Sequence, residues 1–167
     1  MSLIDHLDVL SDHQTIPGKS YSQYSRMMTA PTDWGANGMK RHIKIVAHGA
    51  NTLGAITFKL LGYNQPNMTD AIIIDQTKSY EQADVKKGSV FWLDIQQTGE
   101  RFKYIALLYD VVGGVEDTDA RDDLQYCPIE PMLNNPEEKE NTYSAYIVLD
   151  RTDNVPFEVN NQDKVFL

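Results

Sequence analysis

Apolar and polar side chains alternate along residues 42–48 (HIKIVAH), with Ile43, Ile45 and Ala47 on one face and His42, Lys44 and His48 on the other. A period of two marks a strand with one buried face. Ile56, Phe58 and Leu60 repeat the pattern around Thr57 and Lys59, and the turn-rich stretch 49–54 (GANTLG) between the two runs predicts a hairpin with a long loop. Residues 62–67 (GYNQPN) break the alternation with turn chemistry. The β-branched run 71–75 (AIIID) predicts a short strand buried on both faces. A polar excursion over residues 76–88 separates it from a strand at 90–95 (VFWLDI). A further strand is predicted over 102–112 and a last one over 143–150 (YSAYIVLD). Helical signal is short: Leu3, Leu7 and Leu10 fall near helical spacing, and residues 79–87 suffice for one turn, neither being long enough to stand without tertiary support.

Short strands joined by turn-rich loops predict an all-β sandwich or barrel. Residues 1–38 contain Tyr21, Tyr24, Met27, Met28 and Trp34 but little strand periodicity, and read as an N-terminal arm. The arm either covers the protein's own sheet or anchors on a partner. The sandwich domain then spans residues 39–167, with an insertion at 114–142 before the last core strand. In 104–111, Ile105, Leu107, Tyr109 and Val111 share one face, while Tyr104, Ala106 and Leu108 make the other apolar too. That second face is covered by the protein's own loops or meets another subunit.

A chain of 167 residues fits one domain with a full two-layer core, and its 41% hydrophobic and 23% charged residues are ordinary globular usage. The formal net charge of −9 and the lack of a clustered basic stripe argue against nucleic acid as a partner. No apolar run reaches the roughly 20 residues of a membrane span and no secretory signal is visible, so a soluble protein without a membrane partner is expected. The single cysteine, Cys127, excludes an internal disulfide and is followed by Pro128 in a loop, which suits an incidental thiol better than a nucleophile.

The remaining candidate chemistry is sparse. His42 and His48 share a face but lie about 20 Å apart along a strand, too far to share an ion. With His6 and His13 they read as solvated or hydrogen-bonded histidines. The acidic run 116–123 (EDTDARDD) lacks the central Gly and terminal Glu of an EF-hand loop and reads as a solvated acidic loop. Gly113-Gly114 is a strand-ending turn without the Lys-Ser/Thr pair of a phosphate loop, and no Gly-x-Ser-x-Gly elbow occurs. The glycosylation sequon at Asn67 reads as chance without a signal peptide. No enzymatic activity, metal or cofactor is expected.

The opening segment 7–14 (LDVLSDHQ) resembles the start of a family of bacteriophage capsid cement (head decoration) proteins. The strands at 43–47 and 56–61 around a Gly-containing loop, the pair 91–95 (FWLDI) and 101–109 (RFKYIALLY), and the closing 143–150 are similar to that family's later segments, in the same order. The resemblance implies a jelly-roll-like antiparallel β-sandwich on the outer capsid surface of a virion. It further implies a homotrimer that locks neighbouring copies of the major capsid protein together. The long acidic insertion stands where the family has a short hairpin loop. On this reading the partner-binding residues are Leu7, Val9 and Leu10 of the opening segment and Tyr104 and Leu108 of the second apolar face. Tyr126, Ile129, Met132 and Leu133, in the apolar middle of the insertion, complete the set. The alternative is a carbohydrate-binding β-sandwich module of a phage fibre or secreted enzyme, with Trp92 and Tyr104 as the aromatic contacts.

Overall fold

The computed structural model describes residues 8–28, 41–95, 101–118 and 139–148. Nine strands occur among them: β1 (Val9–Thr15), β2 (Ser20–Tyr21), β3 (Arg26–Met27), β4 (Arg41–Ala47), β5 (Ile56–Tyr63), β6 (Ile72–Gln76), β7 (Val90–Ile95), β8 (Tyr104–Val111) and β9 (Thr142–Val148). They form two antiparallel sheets, one in the order β1-β9-β4-β7, the other in the order β2-β8-β5-β6 with β3 also on β8. Because β2 and β3 pair with successive stretches of β8, they occupy one lane. The two sheets then hold four lanes each in the interleaved order of a jelly roll. The all-β sandwich read from the sequence is the architecture observed.

Alternation builds the core. Ile43, Ile45 and Ala47 of β4, Phe91, Leu93 and Ile95 of β7, and Tyr143, Ala145 and Ile147 of β9 face inward from one sheet. Ile56, Phe58 and Leu60 of β5 meet them with Ile105, Leu107, Tyr109 and Val111 of β8. Register aligns these layers: Ile45 lies opposite both Phe91 and Ala145, and Phe58 lies opposite Tyr109. Phe58 is the hub, its ring centroid 4.6 Å from that of Phe91, 5.7 Å from Tyr143 and 5.9 Å from Tyr109. Each such side chain contributes about 1.5–3 kcal/mol through burial.

Three expectations are corrected. First, β4 and β5 are not a hairpin: β4 pairs with β7 and β9, and β5 with β6 and β8. Their apolar faces oppose each other across the core, which buries both, and the loop between them crosses from sheet to sheet. Second, β6 is not doubly buried but ends its sheet, leaving Ile72 46% and Ile73 49% exposed. Third, residues 8–28 are not a separate arm. β1 adds to β9, with Leu10, Ile16, Tyr24 and Met28 buried.

Polar side chains allow this N-terminal segment to be buried. Between β2 and β3, Ser22 Oγ accepts the Leu107 N–H of β8 and donates to the Tyr24 carbonyl, standing in for a missing rung of the ladder. Tyr63 donates to Ser25 Oγ, and Tyr109 to Ser11 Oγ. These buried hydroxyls are thereby satisfied. β1 is irregular, with register shifts on both sides of Ser11 and His13 in the left-handed region at φ 49°. The displaced His13 N–H is taken by Ser144 Oγ at 2.9 Å. The one-turn signal at residues 79–87 materialises as a 3-10 turn at Gln82–Asp84 with a Glu81–Asp84 capping box.

Candidate assembly surface

The residues read from the sequence as partner-binding fall into three groups. Leu7, Tyr126, Ile129, Met132 and Leu133 lie outside the described residues. Leu10 is fully buried and belongs to the protein's own core; its neighbour Val9 is half-buried opposite Tyr146. Tyr104 and Leu108 lie on the outer face of the β5–β8 sheet in a second small cluster with Leu61, Tyr63, Met68 and Ala106. There the Tyr104 ring stacks on that of Tyr63 at 5.3 Å. Ala106 has no exposed surface and Leu108 only 9%. The chain thus buries Ala106 and Leu108 itself, while Tyr104 keeps part of its surface exposed.

The cover comes from the loop after β5. Asp70 accepts the backbone N–H groups of Asn64 and Gln65, closing a tight loop that swings Met68, at φ 61°, into the cluster. The Gln65 N–H is the main reason the Asp70 carboxyl sits below its ordinary pKa.

The outer face of the other sheet carries a polar network. His42 Nδ1 lies 2.5 Å from Asp94 Oδ1, and His13 Nδ1 lies 2.8 Å from Asp12 Oδ1. His48 Nε2 lies 2.8 Å from Ser144 Oγ, and its ring stacks on His13 at 3.9 Å. These three histidines are hydrogen-bonded, as expected. The group is not a nucleophile relay, because Ser144 is fully buried and Asp12 orients His13, not the histidine on the serine. Among the described residues no group of three or more His, Cys, Asp or Glu is placed to hold a metal ion. Lys44, on this outer face, is fully buried. Trp92 projects from this same face whereas Tyr104 projects from the opposite side of the sandwich, so the two do not form one aromatic platform.

Burial also sets the ionisation of three tyrosines. Tyr143 and Tyr109 stack in the core at 5.3 Å, and burial raises the pKa of both hydroxyls well above the ordinary value. The bond to Ser11 partly relieves Tyr109, while Tyr143 and Tyr146 raise it further. Tyr146 is raised by burial first, partly offset by its bond to Ser144, and raised further by the Asp12 charge.

Among the described residues, large exposed apolar side chains occur at two places on the surface. One is the Ile72–Ile73 end of β6. At the other end of β6, the Asp75 carboxylate takes the Asp94 N–H on the edge strand β7 at 2.8 Å. Such capping blocks edge-to-edge pairing at that point. The second patch is the corner after β8, where Val112 is 66% and Val115 72% exposed around Gly113 and Gly114, both at positive φ. A Cβ on Gly114 would collide with the Pro17 carbonyl, so only glycine turns the chain this close to the β1–β2 connection. Ile56 pairs with Val111 and Gly62 with Ile72, placing the patches at opposite ends of β5, about 20 Å apart along the strand. Sequence reasoning missed both, because β6 reads as an interior strand and Val112 as a continuation of β8.

Both ends of the insertion leave from the corner's rim. Val115 and Asp117 donate to the carbonyls of Pro17 and Lys19, while Asn141 accepts from Ile16 and donates to Ala50. Neither a protein-family model nor a curated protein matches this chain.

Proposed function

We propose that this protein is a structural component of a phage virion, one that decorates the capsid from outside and stabilises it by binding the lattice of the major capsid protein, as a homotrimer. The observation that carries the reading is the coincidence of the family-like segments with the jelly-roll lanes. Residues 9–14 of the opening segment fall on β1, 43–47 on β4, 56–61 on β5, 91–95 on β7, 104–109 on β8 and 143–148 on β9. The jelly roll is a scaffold common in viral capsids and in lectins, and fold alone does not name a function. Exposed apolar patches on a rigid sandwich support a binding role.

A decoration protein performs no chemistry. It stabilises the assembled head by binding it and not the dissociated subunits, an effect worth about 2.7 kcal/mol per site at a free concentration 100 times Kd. Mass spectrometry of purified virions tests the reading directly. The protein is expected in stoichiometric amounts on heads, and heads stripped of it are expected to rupture at lower temperature and regain resistance when it is added back. Virions that lack the chain would overturn the reading.

A further inference from the structure

We propose that the stacked pair His13 and His48 is an acid-sensitive latch. It holds the N-terminal strand β1 on its sheet while the pair carries one proton charge or none, and lets β1 loosen when both rings are charged. The device is independent of the virion reading and concerns this edge strand, not the rest of the sandwich.

The latch ties an irregular edge to the middle of a sheet. β1 ends the order β1-β9-β4-β7, has register shifts on both sides of Ser11, and holds His13 in the left-handed region at φ 49°. A non-glycine residue keeps that conformation only where its contacts over-determine it. Here the His13 N–H donates to Ser144 Oγ of β9 at 2.9 Å, Nδ1 lies 2.8 Å from Asp12 Oδ1, and the ring stacks on His48 at 3.9 Å with the planes 17° apart. His48 follows β4, which is paired on both sides, and its Nε2 lies 2.8 Å from the same Ser144 hydroxyl. Ser144 is fully buried, so one fixed oxygen fastens both histidines. When the rings part, β1 is the side that gives.

Imidazoles change charge between about pH 5 and 8. Neutral rings stack without penalty, and one cation over a neutral ring is attracted to its face. Two cations whose rings are centred 3.9 Å apart repel. Asp12 favours the first proton on His13, so the second, on His48, meets a charge already in place. The other titratable groups around the pair are Tyr146 of β9, Lys44 of β4 on the same outer face, and Lys139 and Glu140, whose backbone passes over Gly49. Burial keeps Tyr146 neutral, and Lys139 and Glu140 are of opposite charge. A released strand leaves both imidazoles in water, where they charge near about pH 6.5. Opening therefore takes up a proton that the closed latch refuses. Attachment is complete above that pH, and the opening equilibrium shifts toward release by about tenfold per pH unit below it. Release uncovers the β9 edge and the buried Leu10, surfaces that the closed form hides.

Native-state hydrogen exchange on the full chain tests the inference, read residue by residue by NMR and corrected for the intrinsic pH dependence of exchange. The reporters are the amides that fasten this segment: His13 on Ser144, Ile16 on the Asn141 carbonyl and Tyr24 on the Leu10 carbonyl. Amides of the β5–β8 pairing are the reference. From about pH 6.5 to about pH 5, protection of the reporters is expected to fall about tenfold per pH unit relative to the reference. His48→Gln keeps a polar side chain for Ser144 but cannot charge, and is expected to hold that ratio constant. His13→Asn, a residue that also tolerates the left-handed region, is expected to do the same and decides the matter where His48→Gln does not fold. His42→Gln, at the far end of β4 beside Asp94, is expected to keep the wild-type response. Wild-type reporters that stay protected down to about pH 5, or variants of the pair that lose protection as the wild type does, would overturn the proposal. So would loss of reporters and reference together, which is acid unfolding of the whole domain.

Discussion

Two isosteric substitutions in the core are expected to act with opposite sign. Tyr109 and Tyr143 both have fully buried side chains, stacked on each other at 5.3 Å and grouped around Phe58. Their hydroxyls differ. Tyr109 donates to Ser11 Oγ at 2.8 Å, and Ser11 donates onward to Gln14 Oε1 at 2.7 Å, whereas the Tyr143 hydroxyl has no hydrogen-bond partner. A hydroxyl buried without a partner costs about 1–3 kcal/mol, and removing it recovers most of that, less the contacts of one oxygen atom. Tyr143→Phe is therefore expected to stabilise the fold by about 1 kcal/mol, raising Tm by roughly 2–4 °C for a domain of this size. Tyr109→Phe loses a satisfied bond and leaves Ser11 short of a donor, an expected loss of about 1 kcal/mol with a matching fall in Tm. Urea midpoints for the two single variants and the double variant check both signs. The double variant exposes any coupling between the stacked rings. Equal destabilisation by both substitutions would refute the reasoning, since it would mean that the Tyr143 hydroxyl holds a partner such as an ordered water.

Alkaline pH is expected to unfold the protein steeply. Burial raises the pKa of Tyr109, Tyr143 and Tyr146, so the folded state keeps protons that the unfolded chain releases above about pH 10. The contribution is complete below that value and falls as pH rises, by about 1.4 kcal/mol per unit for each tyrosine, or about 4 for the three together. Absorbance at the tyrosinate band is the check; all nine tyrosines ionising while circular dichroism stays native would contradict it. Leu10→Ala is expected to cost the isolated chain about 2–5 kcal/mol in urea unfolding, independent of protein concentration, because Leu10 fills its own core. A loss seen only in oligomerisation would return Leu10 to an intersubunit role.

What the sequence alone determines here is local and periodic. Ile43-x-Ile45-x-Ala47, Phe91-x-Leu93-x-Ile95 and Ile105-x-Leu107-x-Tyr109 each declare a strand and its inward face, and the structure buries those side chains. The all-β class follows, and so does the turn at Gly113-Gly114, where both glycines take positive φ. What the tertiary structure decides is which strands are neighbours. Nothing in residues 42–60 distinguishes a hairpin from two strands facing each other across a core, because both bury the same faces; the distant β9 and β7 take the edges of β4. The edge position of β6 has the same origin, since a β-branched run looks alike whether one or two neighbours flank it.

Residues 8–28 are the hardest to read. β1 carries two register shifts, and β2 and β3 are two-residue strands too short to show a period. Ser11, Ser22 and Ser25 are buried with hydrogen bonds from Tyr109, Leu107 and Tyr63, which lie far along the chain. The two exposed patches were hidden for the same reason: exposure of Ile72, Ile73, Val112 and Val115 follows from where the sheet stops and the chain turns, and that is settled by long-range pairing, not by the residues themselves.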